Sequence, residues 1–174
     1  RFRSLPIPRA AVLVGRSISS LIHSSIGVAV MGLTGLLIGW RIRNGVVDGV
    51  LAFLLLLLFG FAVIWLGIWV GSIMRTVEAV QGFMFTVMFP LTFVANTFAP
   101  TESMPAWLRV IAEWNPISAV TQACRELWGN GLQAPADAAW PLQHAVPVSV
   151  GWSLLLTAVF APLAVSAFRR RSRD

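Results

Sequence analysis

The side chains able to do chemistry in this 174-residue chain are few, and their types exclude more than they offer. There are two histidines (His23 and His144), one cysteine (Cys124), seven carboxylates, and thirteen arginines without a single lysine. The histidines fall on opposite sides of the topology set out below, so they do not share a metal. A lone cysteine rules out an internal disulfide framework and a cysteine-based zinc site. No two carboxylates are spaced for paired acid–base work, and Glu102 and Glu113 meet only if the fold brings them together. Without lysine there is no Walker A lysine and no phosphate-cradling loop of the usual kind, so any ATP is bound by another chain. What is left is a charged group, Glu113, Arg125 and Glu126, in one stretch of sequence. Its work is either local pairing and capping or a gate that handles the polar head of a passing molecule.

That stretch, 90–131, reads PLTFVANTFAPTESMPAWLRVIAEWNPISAVTQACRELWGNG. It predicts two short amphipathic helices, each opened by a proline, which at a first helical position forfeits no hydrogen bond. Thr101 or Ser103 is the expected cap of a helix beginning near Pro105. Asn115 is the expected cap of one beginning at Pro116, with Gly129 or Gly131 ending it in a left-handed turn. The first helix groups Met104, Trp107, Leu108 and Ile111 on one face; the second groups Ile117, Val120, Cys124 and Leu127. Both are too short for a bilayer core of roughly 30 Å, so they are expected to lie in or dip into its interface. Trp107, Trp114 and Trp128 suit that depth as anchors and are secondary candidates for touching a substrate.

Composition sets the class around this stretch. The chain is 57% hydrophobic and only 11% charged, whereas soluble domains carry about 25% charge. It reads as an all-α, polytopic transmembrane bundle with two short re-entrant helices on the outer face. The net charge of +6 is concentrated at the two ends, the usual mark of cytoplasmic flanks rather than nucleic-acid binding. Arg1 is preceded by no initiator methionine and no signal-peptide pattern, so the chain is expected to be the later part of a longer protein.

In order, residues 1–16 form a basic cytoplasmic loop interrupted by Pro6 and Pro8, either a solvated arm or a docking element. Spans follow at about 18–40, 46–70 and 80–98. Residues 100–131 are the re-entrant helices, 132–145 an outer connection, 146–168 the last span, and 169–174 a basic tail. Gly32, Gly35 and Gly39, and Gly60, Gly67 and Gly71, mark expected close-packed seams. His23, near the start of the first span, reads as a packing or snorkelling residue rather than a proton relay. Pro90 is expected to kink the third span. With both ends cytoplasmic, nine arginines lie inside (1, 3, 9, 16, 75, 169, 170, 171 and 173) against four outside (41, 43, 109 and 125), which favours that orientation in the plasma membrane. Arg41 and Arg43 are the misfit.

The phrases Phe98–Pro100, Met104–Leu108, Asn115–Pro116 and Arg125, after an opening Arg3–Pro6–Arg9 and Gly15–Arg16, resemble the last part of ABC-2 type transporter permeases, closest to the daunorubicin-resistance type. The resemblance covers essentially the whole chain. It implies six spans per permease, of which these four correspond to the third to sixth. It implies a permease pair, with itself or a paralogue, above a dimer of ATP-binding subunits that hold the ATP and Mg. It also implies coupling to that ATPase through Arg1, Phe2, Arg3, Leu5 and Arg9, and an outer gate made of Met104, Trp107, Leu108, Glu113, Asn115, Pro116 and Arg125. The cargo it implies is hydrophobic: a drug, antibiotic or lipid. Phe83, Phe85, Met88 and Phe89 are then either part of the translocation path or lipid-facing. The contrasting reading is a membrane scaffold or accessory subunit without a transport path. An intramembrane enzyme has little support, since no catalytic set is present and no cofactor is expected in this chain.

Overall fold

A computed structural model describes residues 9–97, 101–131, 134 and 137–171. Among these the secondary structure is helical throughout: α1 (Arg9–Ile38), α2 (Val46–Ile73), α3 (Val77–Val94), a 3-10 turn (Thr101–Ser103), α4 (Ala106–Glu113), α5 (Pro116–Trp128), α6 (Trp140–Gln143) and α7 (Ala145–Arg171). Four helices are long and apolar enough to cross a membrane, within Leu13–Ile38, Val46–Ile73, Val77–Val94 and Ala145–Phe168. At 1.5 Å per residue each reaches most or all of the way across roughly 30 Å of hydrocarbon. The chain is an all-α, multi-pass membrane protein.

The pair α2 and α7 forms the spine of the bundle. In lipid, helices associate through close packing rather than hydrophobic expulsion, so small residues mark the seams. Ala62 of α2 and Ala145, Ser149 and Ser153 of α7 are buried, the last three at four-residue intervals along one face. Each serine hydroxyl donates back to the carbonyl four residues earlier, Ser149 to Ala145 at 2.6 Å and Ser153 to Ser149 at 2.7 Å, so neither buried hydroxyl is left unpaired. This corrects the expected glycine seam of α2: a Cβ at Gly60, Gly67 or Gly71 would meet nothing within 4 Å, whereas on α1 Gly32 is approached by Phe53 and Gly35 by Trp40. Gly39 lies in the turn after α1 with φ +108°.

At one end, the lower, Leu13, Trp65 and Ala164 tie the start of α1 to the ends of α2 and α7. At the upper end α5 is wedged against the spine. Val120 and Cys124 pack on Ala52, and Ala123 packs on Leu55 and Ala145. The α1–α2 turn, the end of α3 and helices α4 to α6 all gather at this upper end. By contrast α3 buries none of its side chains against the bundle.

Helix boundaries differ from the sequence reading where charge and apolarity part company. α1 is helical from Arg9, the first described residue, and runs unbroken through Arg16, so the second half of the segment read as a loop is helical. His23 consequently sits well inside the span rather than near its start.

Candidate functional site

The upper end holds a hydrogen-bonded assembly of polar side chains built around α5. Its start follows the sequence closely. Asn115 caps it, with Oδ1 accepting from the Ile117 amide at 2.9 Å, and Pro116 takes the first helical position. Its end is a Schellman motif: Gly129 is left-handed at φ 67°, its amide donates to Glu126 O, and the Asn130 amide donates to Arg125 O. Glycine is needed there twice over, since a Cβ would also run into the Asn44 side chain.

The carbonyls left at the end of α5 are satisfied by the α1–α2 turn. The Arg43 amide donates to Trp128 O at 2.9 Å, Asn44 Nδ2 donates to Glu126 O at 2.7 Å, and Asn130 Nδ2 reaches back to Arg41 O at 2.7 Å. The Arg41 guanidinium closes α1 itself, its Nη1 donating to Leu36 O at 2.5 Å and Trp40 O at 3.0 Å. Trp40 packs edge-on to Trp128 with centroids 4.9 Å apart.

The opposite flank of α5 holds the end of α3. Asn115 Nδ2 donates to Leu91 O at 2.7 Å, and the Asn96 amide donates to Ser118 Oγ at 3.0 Å. Arg125 Nη1 and Nη2 donate to the carbonyls of Asn96 and Thr97 at 3.0 and 3.1 Å. Thr97 and Thr121 hydroxyls meet at 3.2 Å, and a side-chain chain runs from Asn96 to Gln122 to Glu126. Ser118 and Gln122 are buried, as is Asn96, whose Oδ1 has no partner among the described residues. No side chain of α3 itself is fully buried, and this polar set ties its end to α5.

A second tie holds α4. Glu113, 4% exposed, accepts from Arg109 Nε at 2.7 Å and from the Ala139 amide at 3.0 Å. Arg109 Nη2 extends the link to Asp137, at 3.1 Å from Oδ2. That guanidinium contact holds the exposed Asp137 carboxyl below the usual carboxylate range. Glu113 thus does the local pairing and capping that the sequence offered as one alternative. The expected cap of α4 is corrected: Pro105 occupies the N-cap position without a side-chain bond, and Thr101 and Ser103 belong to a separate 3-10 turn.

The other candidate residues divide plainly. Trp107 is exposed, while Met104 and Leu108 are half-buried, so the apolar face of α4 looks outward. Phe85 stacks on Phe89, and Phe89 meets Phe93 at a tilt, along an open face of α3; Phe83 is exposed and Met88 half-buried. Arg1, Phe2, Arg3 and Leu5 lie outside the described residues, as does Phe98–Pro100, and of Arg9 and Glu102 only the backbone is described. Among the described residues no three of His, Cys, Asp or Glu converge on a metal-sized site. The sequence reading missed Arg109 and the Asn96–Ser118–Gln122 core. The four-residue spacing of Arg109 and Glu113 signals the first; nothing local signals the second.

This chain belongs to the ABC-2 type transporter family, whose model matches residues 1–127. It is similar to the Daunorubicin resistance ABC transporter permease protein DrrB1 of Streptomyces coeruleorubidus, at 34% identity over 99% of this chain and 58% of that protein. It is also similar to a protein named "Probable doxorubicin resistance ABC transporter permease protein DrrC" of Mycobacterium tuberculosis, at 24% identity over 85% of this chain and 56% of that protein. A third relative is "Probable multidrug ABC transporter permease YbhR" of Escherichia coli K12, at 21% identity over 95% of this chain and 42% of that protein. The chain therefore spans about half the length of these relatives. No solved structure matches it.

Proposed function

We propose that this chain is a four-span portion of the permease subunit in an ATP-driven exporter, moving a hydrophobic drug, antibiotic or lipid out of the cell across the plasma membrane. The observation that carries the reading is the 34% identity, over 99% of the chain, to a daunorubicin resistance permease. ATP and Mg are held by a dimer of partner subunits, and the permease works as a pair, with a second copy or a paralogue. The lower end of the bundle faces the cytoplasm, because Arg16, Arg75 and Arg169 to Arg171 belong to it. The α5 assembly then faces outward.

In this reading the partner ATPase bears on the segment from Arg1 to Arg9. From Arg9 the chain is one unbroken helix to Ile38, so a push or tilt is carried the full thickness of the membrane. At its far end the α1–α2 turn is bonded to the last carbonyls of α5, and α5 is bonded in turn to the end of α3. Displacing α1 therefore strains the hold of α5 on α3. A fastening made of hydrogen bonds, with one buried acceptor already unpartnered, breaks and remakes more readily than an interdigitated apolar interface. Movement of α3 at this latch supplies the switch between inward- and outward-facing states. Cargo is held by apolar and aromatic walls, with Phe83, Phe85, Met88 and Phe89 of α3 as candidates.

The test is transport in inverted vesicles carrying the full-length permease and its ATP-binding subunit, with a panel of hydrophobic drugs and lipids beginning with daunorubicin. ATP-dependent uptake that is lost when the ATP-binding subunit is omitted supports the reading. Uptake of none of the panel, or uptake indifferent to ATP, contradicts it.

A further inference from the structure

Arg41 and Arg43 carry positive charge at the end of the bundle that the distribution of arginines would leave poor in it. Arg41 has a local use as the cap of α1, but only the main chain of Arg43 is engaged in the assembly described above. Among the described residues the ion pairs are those of Arg109 with Glu113 and Asp137, so neither Arg41 nor Arg43 is neutralised by a carboxylate. Both side chains are exposed.

Directly below them lies an apolar groove of about 400 Å³ between α1 and α2, lined by Ser25, Ala29, Gly32 and Leu36 on one side and Phe53 and Leu57 on the other. The α1 side is open because small residues recur there at helical spacing, and Gly32 lets the Phe53 ring lie against its backbone. The groove ends at Leu36, the residue whose carbonyl binds the Arg41 guanidinium. Phe53 also touches Trp128, which meets Trp40, so an indole pair stands at the groove's upper end. Indoles favour the headgroup level of a bilayer, which puts the groove at acyl-chain depth and the two arginines at phosphate depth.

We propose that this is a binding site for one anionic phospholipid, with an acyl chain in the α1–α2 groove and its phosphate on Arg43, assisted by Arg41. Guanidinium recognises phosphate through charge-assisted, often bidentate hydrogen bonds, and two arginines without a carboxylate partner favour a headgroup whose phosphate charge is not offset by its own ammonium group, so an anionic lipid is preferred over a zwitterionic one. The lipid would brace the α1–α2 turn, whose backbone holds the end of α5. The site follows from the bundle alone and does not depend on which cargo is moved.

The experiment is native mass spectrometry of the full-length permease titrated separately with phosphatidylglycerol, phosphatidylcholine and inorganic phosphate. Arg43→Gln keeps the main-chain bond to Trp128, and Ala29→Phe fills the groove without changing charge. The expected result is selective retention of phosphatidylglycerol, weakened about tenfold by Arg43→Gln and also by Ala29→Phe, with inorganic phosphate bound far more weakly. Equal retention of phosphatidylcholine, or no effect of Arg43→Gln, would overturn the site. Phosphate binding as tight as the lipid, together with indifference to Ala29→Phe, would overturn it in favour of a bare anion site. Dissociation of a permease pair by Ala29→Phe with no lipid retained on the wild type would overturn it in favour of a protein interface.

Discussion

Asn115 and Leu91 are 24 residues apart in sequence, yet the Asn115 amide nitrogen donates to the Leu91 carbonyl at 2.7 Å while its oxygen caps α5. One side chain therefore starts α5 and fastens α3, just past Pro90. The two tasks use opposite ends of one amide, and they separate chemically.

Asn115→Asp keeps the capping oxygen and loses the donor, whereas Asn115→Ala loses both. The alanine variant should be destabilised by about 1 kcal/mol for the cap and about 1 kcal/mol more for the bond to Leu91. The aspartate variant should retain α5 but free the end of α3, lowering transport more than it lowers thermal stability. Paired measurements of melting temperature and vesicle transport check this; equal loss in both for the two variants would remove α3 release from the mechanism.

Cys124 provides a native reporter of the same latch. It is 4% exposed, set against Ala52 on α2, and is the single cysteine of the chain. Maleimide should label it slowly in the resting permease. Arg125→Ala removes the donors to Asn96 and Thr97, and it should speed labelling as α5 loosens. A labelling rate unchanged by this substitution would mean that α5 is held by the spine alone.

The tie from Arg109 to Asp137 carries a pH signature. Contact with Arg109 depresses the folded Asp137 pKa, so the stabilisation is present above the unfolded value of about 3.9 and is lost as pH falls through the lower folded value. Asp137 is 71% exposed, so the effect is small and salt-sensitive. Asp137→Asn should abolish that part of the acid dependence of the melting temperature. Glu113→Ala should cost more, because it leaves the Ala139 amide without its acceptor and buries a loss beside Arg109, and it should alter export without blocking assembly. Unchanged export by a correctly inserted Glu113→Ala variant would exclude α4 from the outer gate.

Replacing Arg1, Arg3 and Arg9 with glutamine should leave the chain inserted while abolishing both docking of the ATP-binding subunit and transport. Co-purification and vesicle transport read the two effects. Retention of both would place the coupling contact elsewhere.

Much of this assembly was written locally. The apolar, almost charge-free run of α2 announced a span, and Asn115-Pro116 and Gly129 announced both ends of α5. The contacts that make α5 a latch were not legible, because its partners are backbone carbonyls of Leu91, Asn96 and Thr97, which carry no residue signature. The helical seam misled for a related reason. Glycines are spaced for close packing on α2, yet alanine and serine perform that role where α2 meets α7, and which face meets a neighbour is a tertiary fact. The start of α1 was hidden by its arginines, which end an apolar run without ending a helix.

The central claim is that this chain is driven by a separate ATP-binding subunit, and the most direct measurement is affinity purification of the full-length permease from gently solubilised native membranes, with mass spectrometry of its companions. The account predicts a soluble protein with Walker motifs in comparable amount. A preparation that is repeatedly free of any nucleotide-binding partner would contradict it and favour a membrane scaffold.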